Sequence, residues 1–311
     1  MKVLVSCEHD DQVGAALLGR VEALEVILYD PAEARLTPQQ QTAEVLIPPY
    51  RGSHRPIPLL AQLPHLRVVQ LLTAGADEWS ADVPPEVLLA NARGAVAGPV
   101  AEWVLAAILT LYRQWPALVR FQDTGTWAHR RVDADTLAGK RVLVVGAGAI
   151  GRAVAARLPV FGAEATLVAR TARPGVQAAA DLPSLLPSHQ IVVLTLPLTP
   201  ESTHLVDTGF LAAMPDNALL VNAARGRIVE TAALLAEAQS GRLRAALDVT
   251  DPEPLGSDHP LWSCPGVIIS PHMARTVPGT AELCYRVAEE QLTAVLAGRT
   301  PPNVVHERRT K

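Results

Sequence analysis

Residues 141–151 read RVLVVGAGAIG, and this stretch decides the fold. An apolar run over 142–145 leads straight into Gly146-Ala147-Gly148-Ala149-Ile150-Gly151, and residues 152–158 continue with helical character. Strand, glycine turn and helix start follow in one line, the context in which a GxGxxG reads as a dinucleotide fingerprint. The first glycine permits the tight turn, the second lets backbone approach a pyrophosphate, and the third lets the helix pack on the strand. The helix N-terminus then offers free N–H groups and a partial positive charge to the phosphates. A glycine-rich turn in some other α/β protein is the alternative.

Outward from this point, short apolar runs alternate with helical or loop segments. Downstream they fall at 165–169, 191–194, 219–221, 245–249 and 267–269. Upstream they fall at 3–5, 26–28, 45–47, 68–72 and 87–89, with helix-like pieces at 12–23 and 38–43. This rhythm predicts α/β architecture with two Rossmann-like or flavodoxin-like domains, parallel sheets and an interdomain cleft. Residues 97–273 would form the dinucleotide-binding domain. Residues 1–96 plus 274–311 would form the substrate domain. Residues 99–112 are apolar nearly all round, with Glu102 the one charge, so that helix should be buried between domains or between subunits. Residues 113–140, with Trp115, Phe121 and Trp127 scattered among polar residues, read as an extended arm, and the buried helix plus arm suggest a homodimer. A final amphipathic helix over 281–297 ends at Gly298 and Pro301-Pro302, and the basic tail 308–311 reads as frayed.

The 311 residues suffice for two domains, and 49% hydrophobic content argues against disorder. A net charge of −4 with acids and bases mixed argues against a nucleic-acid or anionic-membrane partner. The three cysteines, Cys7, Cys264 and Cys284, are widely spaced and odd in number, which fits neither a disulfide framework nor a zinc site and favours a cytoplasmic setting. The opening MKVLVSCEHD reads as a strand rather than a signal peptide, and no run approaches the roughly 20 apolar residues of a membrane span.

An NAD site expects an acid about 20 residues past the glycines to hold the ribose 2′-hydroxyl. Here the run 165–169 ends in Ala169 and continues Arg170-Thr171-Ala172-Arg173. Two arginines and a hydroxyl can clamp a 2′-phosphate, so Arg170, Thr171 and Arg173 predict NADP(H) in preference to NAD(H), with a solvated basic loop as the alternative.

Arg225 follows the run 219–221, Asp248 and Glu253 lie at and after the run 245–249, and His272 follows 267–269. Open parallel sheets bind ligands beyond the carboxyl ends of their strands. Reduction of a 2-keto acid needs a cation for the carboxylate and carbonyl, a proton donor, and a carboxylate that favours the donor's charged form. Arg225, His272 and Glu253 match those needs. Singly, each also fits a structural role: a helix cap or interdomain salt bridge, a buried histidine, a solvated loop acid. The remaining histidines, His54 and His189 among them, sit in polar or loop context.

With GAGAIG, LTLPLTPEST (194–203), NAARGRIVE (222–230), ALDVTDPEP and SPHMART (270–276), the chain resembles the D-isomer-specific 2-hydroxyacid dehydrogenases from first strand to last helix. The resemblance implies Arg225 as the substrate-binding arginine, His272 as the acid/base and Glu253 as the acid that supports it. It also implies Leu196 and Pro197 as walls of the nicotinamide site and Asp248 on the carboxamide, with Ala223 and Ala224 among the cofactor-binding residues. Residues 72–77, LTAGAD, look like the family's substrate-carboxylate loop, with N–H groups of Ala74 and Gly75 on the anion. Trp127 would either reach a partner subunit's site or simply pack. The pattern at 170–173 is similar to the NADPH-preferring glyoxylate/hydroxypyruvate reductases, and the expected activity is reduction of a small 2-keto acid to the D-2-hydroxy acid. Pro48-Pro49-Tyr50-Arg51 follows no assignable pattern. Two other readings stand beside this one. The first is oxidation of phosphoglycerate or phosphite, the former weakened by the lack of a C-terminal regulatory domain. The second is a non-catalytic nucleotide-sensing scaffold.

Overall fold

A computed structural model describes residues 1–51 and 55–306, so His54 and the tail 308–311 lie outside the described residues. The chain divides into two compact units, 1–96 with 277–311 and 97–276.

The first unit opens with β1 (Lys2–Ser6), α1 (Gln12–Leu18), β2 (Glu25–Tyr29), β3 (Val45–Ile47), β4 (Val68–Gln70) and β5 (Leu88–Ala90). The second contains α2 (Ala97–Tyr112), α3 (Trp115–Asp123), β6 (Arg141–Val145), α4 (Ala149–Arg157), β7 (Glu164–Ala169), β8 (Gln177–Ala178), α5 (Leu182–Leu185) and β9 (Ile191–Leu194). It continues with α6 (Thr208–Ala213), β10 (Leu219–Asn222), α7 (Thr231–Gln239), β11 (Arg244–Leu247) and β12 (Val267–Ile269). The chain then returns to the first unit with α8 (Thr280–Leu296) and β13 (Val304–His306).

In the first unit the strand order is β13-β5-β4-β3-β1-β2. All pairings are parallel except β13 with β5, which is antiparallel. One face carries Leu4, Leu46, Val69 and Leu89 into a buried cluster with Trp79 and Leu59. On the returning helix, Tyr285 packs so closely on α1 that a Cβ at Gly14 would lie 2.3 Å from its ring. The Tyr285 hydroxyl donates to buried Asp11 at 2.9 Å, and the Tyr50 N–H donates to the same carboxylate at 3.1 Å. Burial pushes the Asp11 carboxyl up, against the hydrogen bonds from Tyr285, Ser6 and Tyr50. Asp11 thus ties α1, α8 and the segment after β3 together.

The second unit has a seven-stranded parallel sheet in the order β12-β11-β10-β9-β6-β7-β8. Its central strands β6, β9, β10 and β11 are buried on both faces, as parallel sheets require. Along β6, Val142 and Val144 enter one cluster while Leu143 and Val145 enter another. The apolar helix α2 lays Ala101, Val104, Ile108 and Leu111 on the first of these clusters, so the unit's own sheet buries that face.

The extended arm expected at 113–140 is corrected in part. Residues 115–123 form α3, with Pro116 at its first turn and Gln114 in the left-handed region (φ +58°) before it. Its apolar residues recur at helical spacing but none is buried, and Trp127 beyond it is 90% exposed. Two further expectations shift. The run 245–249 stops pairing at Leu247, and 68–72 stops at Gln70. His189 is buried rather than in a polar loop, with Nδ1 2.7 Å from the Leu185 carbonyl and Nε2 2.9 Å from the Thr166 hydroxyl. Among the described residues, no helix is long and apolar enough to cross a membrane, no metal-binding group of three or more His, Cys, Asp or Glu occurs, and the three cysteines are free thiols.

Candidate active site

The glycine turn follows β6, which lies between β7 and β9, the point where strand order reverses. Gly146 has φ +119°, and a Cβ there would lie 2.6 Å from the Thr195 carbonyl carbon and 2.7 Å from the Leu196 nitrogen. Two constraints thus require glycine, and they bring Leu196 against the turn. Gly151 abuts the Gly146 carbonyl and the Thr195 hydroxyl, which itself donates to the Gly146 carbonyl at 2.9 Å. Gly148 differs: a Cβ there would meet nothing within 4 Å. The protein needs glycine at 146 and 151 for its own packing, whereas at 148 the side chain is missing from open space. Gly148 also precedes α4, so the N–H groups of Ala149 and Ile150 begin the helix there. A cradle of this shape fits a pyrophosphate.

Arg170 and Thr171 are exposed just beyond β7. Arg173 reaches back to the glycine turn, its Nη2 donating to the Ala147 carbonyl at 3.2 Å. Pro197 is exposed after β9, and its carbonyl accepts the Ser202 hydroxyl at 2.8 Å.

At the same edge of the sheet, β10 ends in Asn222, which is 1% exposed. Its Oδ1 accepts the Ala224 N–H at 3.0 Å and its Nδ2 donates to the Arg225 carbonyl at 2.9 Å. One side chain thereby folds the turn that carries Ala223, Ala224 and Arg225. Arg225 Nη1 donates to the Ala224 carbonyl at 2.9 Å. The next residue, Gly226, lies flat against the backbone of Thr250 and Asp251. The Arg225 turn and the loop that leads to Glu253 therefore interlock.

Beyond β11, buried Asp248 accepts through Oδ1 from the Ser270 hydroxyl, the Met273 N–H and the Ala274 N–H. Burial raises its pKa, against the Ser270 bond, the Met273 and Ala274 N–H groups and the charge of His272. His272 sits in the left-handed region at φ +55° and donates its N–H to the Asp248 carbonyl at 2.7 Å. Its Nδ1 lies 2.7 Å from Glu253 Oε1, with the two side chains 44% and 42% exposed. Burial resists ionisation of Glu253, but the hydrogen bond and charge of His272, the Thr250 N–H and the Arg225 charge outweigh it. The carboxyl is held below the ordinary glutamate value.

These residues all belong to the second unit. Ala74 and Gly75 belong to the first, in the loop after β4. There the Asn91 amide donates to the Ala74 carbonyl and the Thr73 hydroxyl to the Gly75 carbonyl, each at 2.7 Å. Among the described residues, the Ala74 and Gly75 N–H groups donate to no acceptor.

Sequence reasoning missed Asn222, Gly226, Thr195 and Ser270. Asn222 carried a signal, because a polar amide ending an apolar strand is suited to bonding nearby backbone. Gly226 and Thr195 carried none, since their partners lie 24 and 49 residues away.

A strand–glycine–helix cradle at a sheet reversal, with histidine paired to carboxylate at the same edge, defines a nucleotide-dependent oxidoreductase. Residues 105–274 match the family described as D-isomer specific 2-hydroxyacid dehydrogenase, NAD binding domain. The chain is 32% identical to a glyoxylate reductase of Aeropyrum pernix over 263 residues, 80% of this chain and 78% of that one. It is 33% identical to a D-3-phosphoglycerate dehydrogenase of Mycobacterium tuberculosis over 257 residues, but spans only 48% of that protein. The crystal structure of a D-isomer specific 2-hydroxyacid dehydrogenase from Xanthobacter autotrophicus Py2, in complex with NADPH and MES, superposes with a TM-score of 0.84 at 29% identity, covering 98% of this chain and 97% of that one. This chain belongs to the D-isomer specific 2-hydroxyacid dehydrogenase family and is an NAD(P)-dependent oxidoreductase.

Proposed function

We propose that this enzyme reduces a small 2-keto acid, of the size of glyoxylate or hydroxypyruvate, to the D-2-hydroxy acid with NADPH. The observation that carries the reading is the 2.7 Å pair of His272 Nδ1 and Glu253 Oε1, set on the sheet edge that also presents Arg225. A bound reduced nicotinamide supplies the hydride for the keto carbon. The guanidinium of Arg225 holds the substrate carboxylate and polarises the carbonyl with a rigid fork of donors. With Nδ1 engaged by Glu253, His272 gives the proton on Nε2 to the carbonyl oxygen. Glu253, ionised, balances the imidazolium before transfer and orients the neutral ring afterwards. In the first unit, the N–H groups of Ala74 and Gly75 are donors suited to a carboxylate.

Gly146, Gly148, Ala149, Ile150 and Gly151 hold the pyrophosphate, Leu196 and Pro197 wall the nicotinamide with Ala223 and Ala224 beside it, and Asp248 serves its carboxamide. Arg170, Thr171 and Arg173 take the 2′-phosphate, which is the basis for preferring NADPH. The similarity to glyoxylate reductases and the NADPH complex of the Xanthobacter structure support this choice. Similarity to phosphoglycerate dehydrogenases favours phosphoglycerate oxidation as a second reading, tested by the same assay run in reverse with NADP⁺ or NAD⁺. Free thiols fit a cytoplasmic enzyme. The exposed Trp115 and Val119 of α3, with Trp127 beyond it, fit a surface that covers a second copy in a homodimer.

The test is a pair of variants. His272→Ala should lose kcat by about 10²-fold or more with KM little changed, and Arg225→Ala should lose kcat and raise KM together. Wild-type turnover in His272→Ala would remove it as the proton donor.

A further inference from the structure

We infer that Ser270, acting through Asp248, is a positioning residue that holds His272 in its working conformation. The inference rests on the reading of His272 as proton donor. Asp248 is 4% exposed and stands one residue past β11. Its carbonyl accepts the His272 N–H at 2.7 Å, and its own N–H donates to the Asn222 carbonyl at 3.0 Å. Its Oδ1 accepts Ser270 Oγ at 2.6 Å, Met273 N at 2.7 Å and Ala274 N at 3.0 Å. The donors lie on both sides of His272 in sequence, so residues 270–274 fold around one oxygen with His272 at the apex.

That apex carries a cost. A side chain at φ +55° is disfavoured and persists only where surrounding contacts over-determine it. Two of the three donors to Oδ1 are backbone and survive any substitution that keeps an N–H. Ser270 Oγ is the only side-chain donor among them. The hydroxyl also opposes the burial that otherwise pushes Asp248 toward its neutral form. Losing Ser270 removes one of the bonds that compensate the carboxylate for its burial, so the turn around it is held less firmly. Ser270 touches neither the imidazole of His272 nor Glu253 in any described contact, and its effect passes through the turn.

The test compares Ser270→Ala and Ser270→Thr with the full-length wild type, with His272→Ala in parallel. Ser270→Ala should lower kcat about tenfold, with KM for the keto acid and Kd for NADPH within about twofold of wild type. Ser270→Thr, which keeps the hydroxyl, should restore kcat. Without any cofactor, amide hydrogen exchange at Met273 and Ala274 should quicken about tenfold in the alanine variant and not in the threonine variant. A purely structural role would lower Tm without splitting kcat from KM. Wild-type kcat and exchange in Ser270→Ala, while His272→Ala is inactive, would overturn the inference alone. So would a folded Ser270→Thr that behaves like the alanine variant. Turnover retained in His272→Ala would overturn the parent reading, and this inference with it.

Discussion

Gly226→Ala is the sharpest probe of how the site is assembled. An added Cβ would lie 1.8 Å from the Thr250 oxygen, 2.1 Å from its carbon and 2.8 Å from the Asp251 nitrogen. The three nearest atoms are all backbone, so relief cannot come from a side chain swinging aside. Clearing 3.0 Å from the oxygen needs a displacement of about 1.2 Å, shared between the Arg225 turn and the loop to Glu253. Overpacking of this kind costs about 1–3 kcal/mol of stability. A misplacement of about 1 Å costs roughly 10²-fold in rate when reacting groups must align. Both effects are within reach of ordinary assays. NADPH oxidation with a 2-keto acid gives kcat and KM, and thermal unfolding followed by circular dichroism gives Tm. The variant should fold with a lowered Tm and lose roughly 10²-fold in kcat/KM, with Kd for NADPH much less affected. A variant with wild-type Tm and wild-type kcat/KM would refute the interlock of the two loops.

Other consequences follow from the same geometry. Gly148→Ala fills open space in the apo protein, so Tm should stay within about 1 °C of wild type while Kd for NADPH, by fluorescence titration, rises at least tenfold. A lowered Tm with unchanged Kd would contradict the cradle. Arg170→Ala and Arg173→Ala should each reduce the kcat/KM ratio of NADPH to NADH by about tenfold, the worth of a charge-assisted hydrogen bond. A ratio unmoved in both variants would remove them from the 2′-phosphate. Glu253 titrates below its ordinary value when folded, so its carboxylate adds stability above the unfolded-state value, and that contribution disappears as pH falls through the lower folded value. Tm of Glu253→Gln should therefore lie below wild type at neutral pH and converge with it in acid. A gap that widens on acidification would invert the sign and sink the argument.

Much of this was legible because buried parallel strands advertise themselves. The runs at 45–47, 191–194 and 267–269 coincide with β3, β9 and β12. The glycine string placed α4 because Gly146 takes a positive φ and Gly151 packs on the Gly146 carbonyl, both local demands, and the strand ends placed Arg225, Glu253 and His272 at one edge. What escaped was set at a distance. Val249 reads as strand by composition, yet pairing stops at Leu247 because Asp248 turns its carboxylate to residues 270–274. The helix α3 was hidden because it sits within a polar segment and none of its own residues is buried. The antiparallel β13 has no local signature, since its hydrogen bonds to β5 reach across more than two hundred residues. Gly226 and Ser270 were hidden for the same reason, since their partners Thr250 and Asp248 lie 24 and 22 residues away, whereas Asn222 bonds its own turn.

The proposed chemistry sets a guanidinium and a carboxylate-backed imidazole on a 2-keto acid beside reduced NADPH. A steady-state screen of glyoxylate, hydroxypyruvate, pyruvate and larger 2-keto acids with NADPH, followed by chiral analysis of the products, tests it most directly. NADPH should be oxidised with the small members, and prochiral substrates should give only the D-hydroxy acid. Cofactor binding with no turnover across the panel, or formation of the L-isomer, would contradict it.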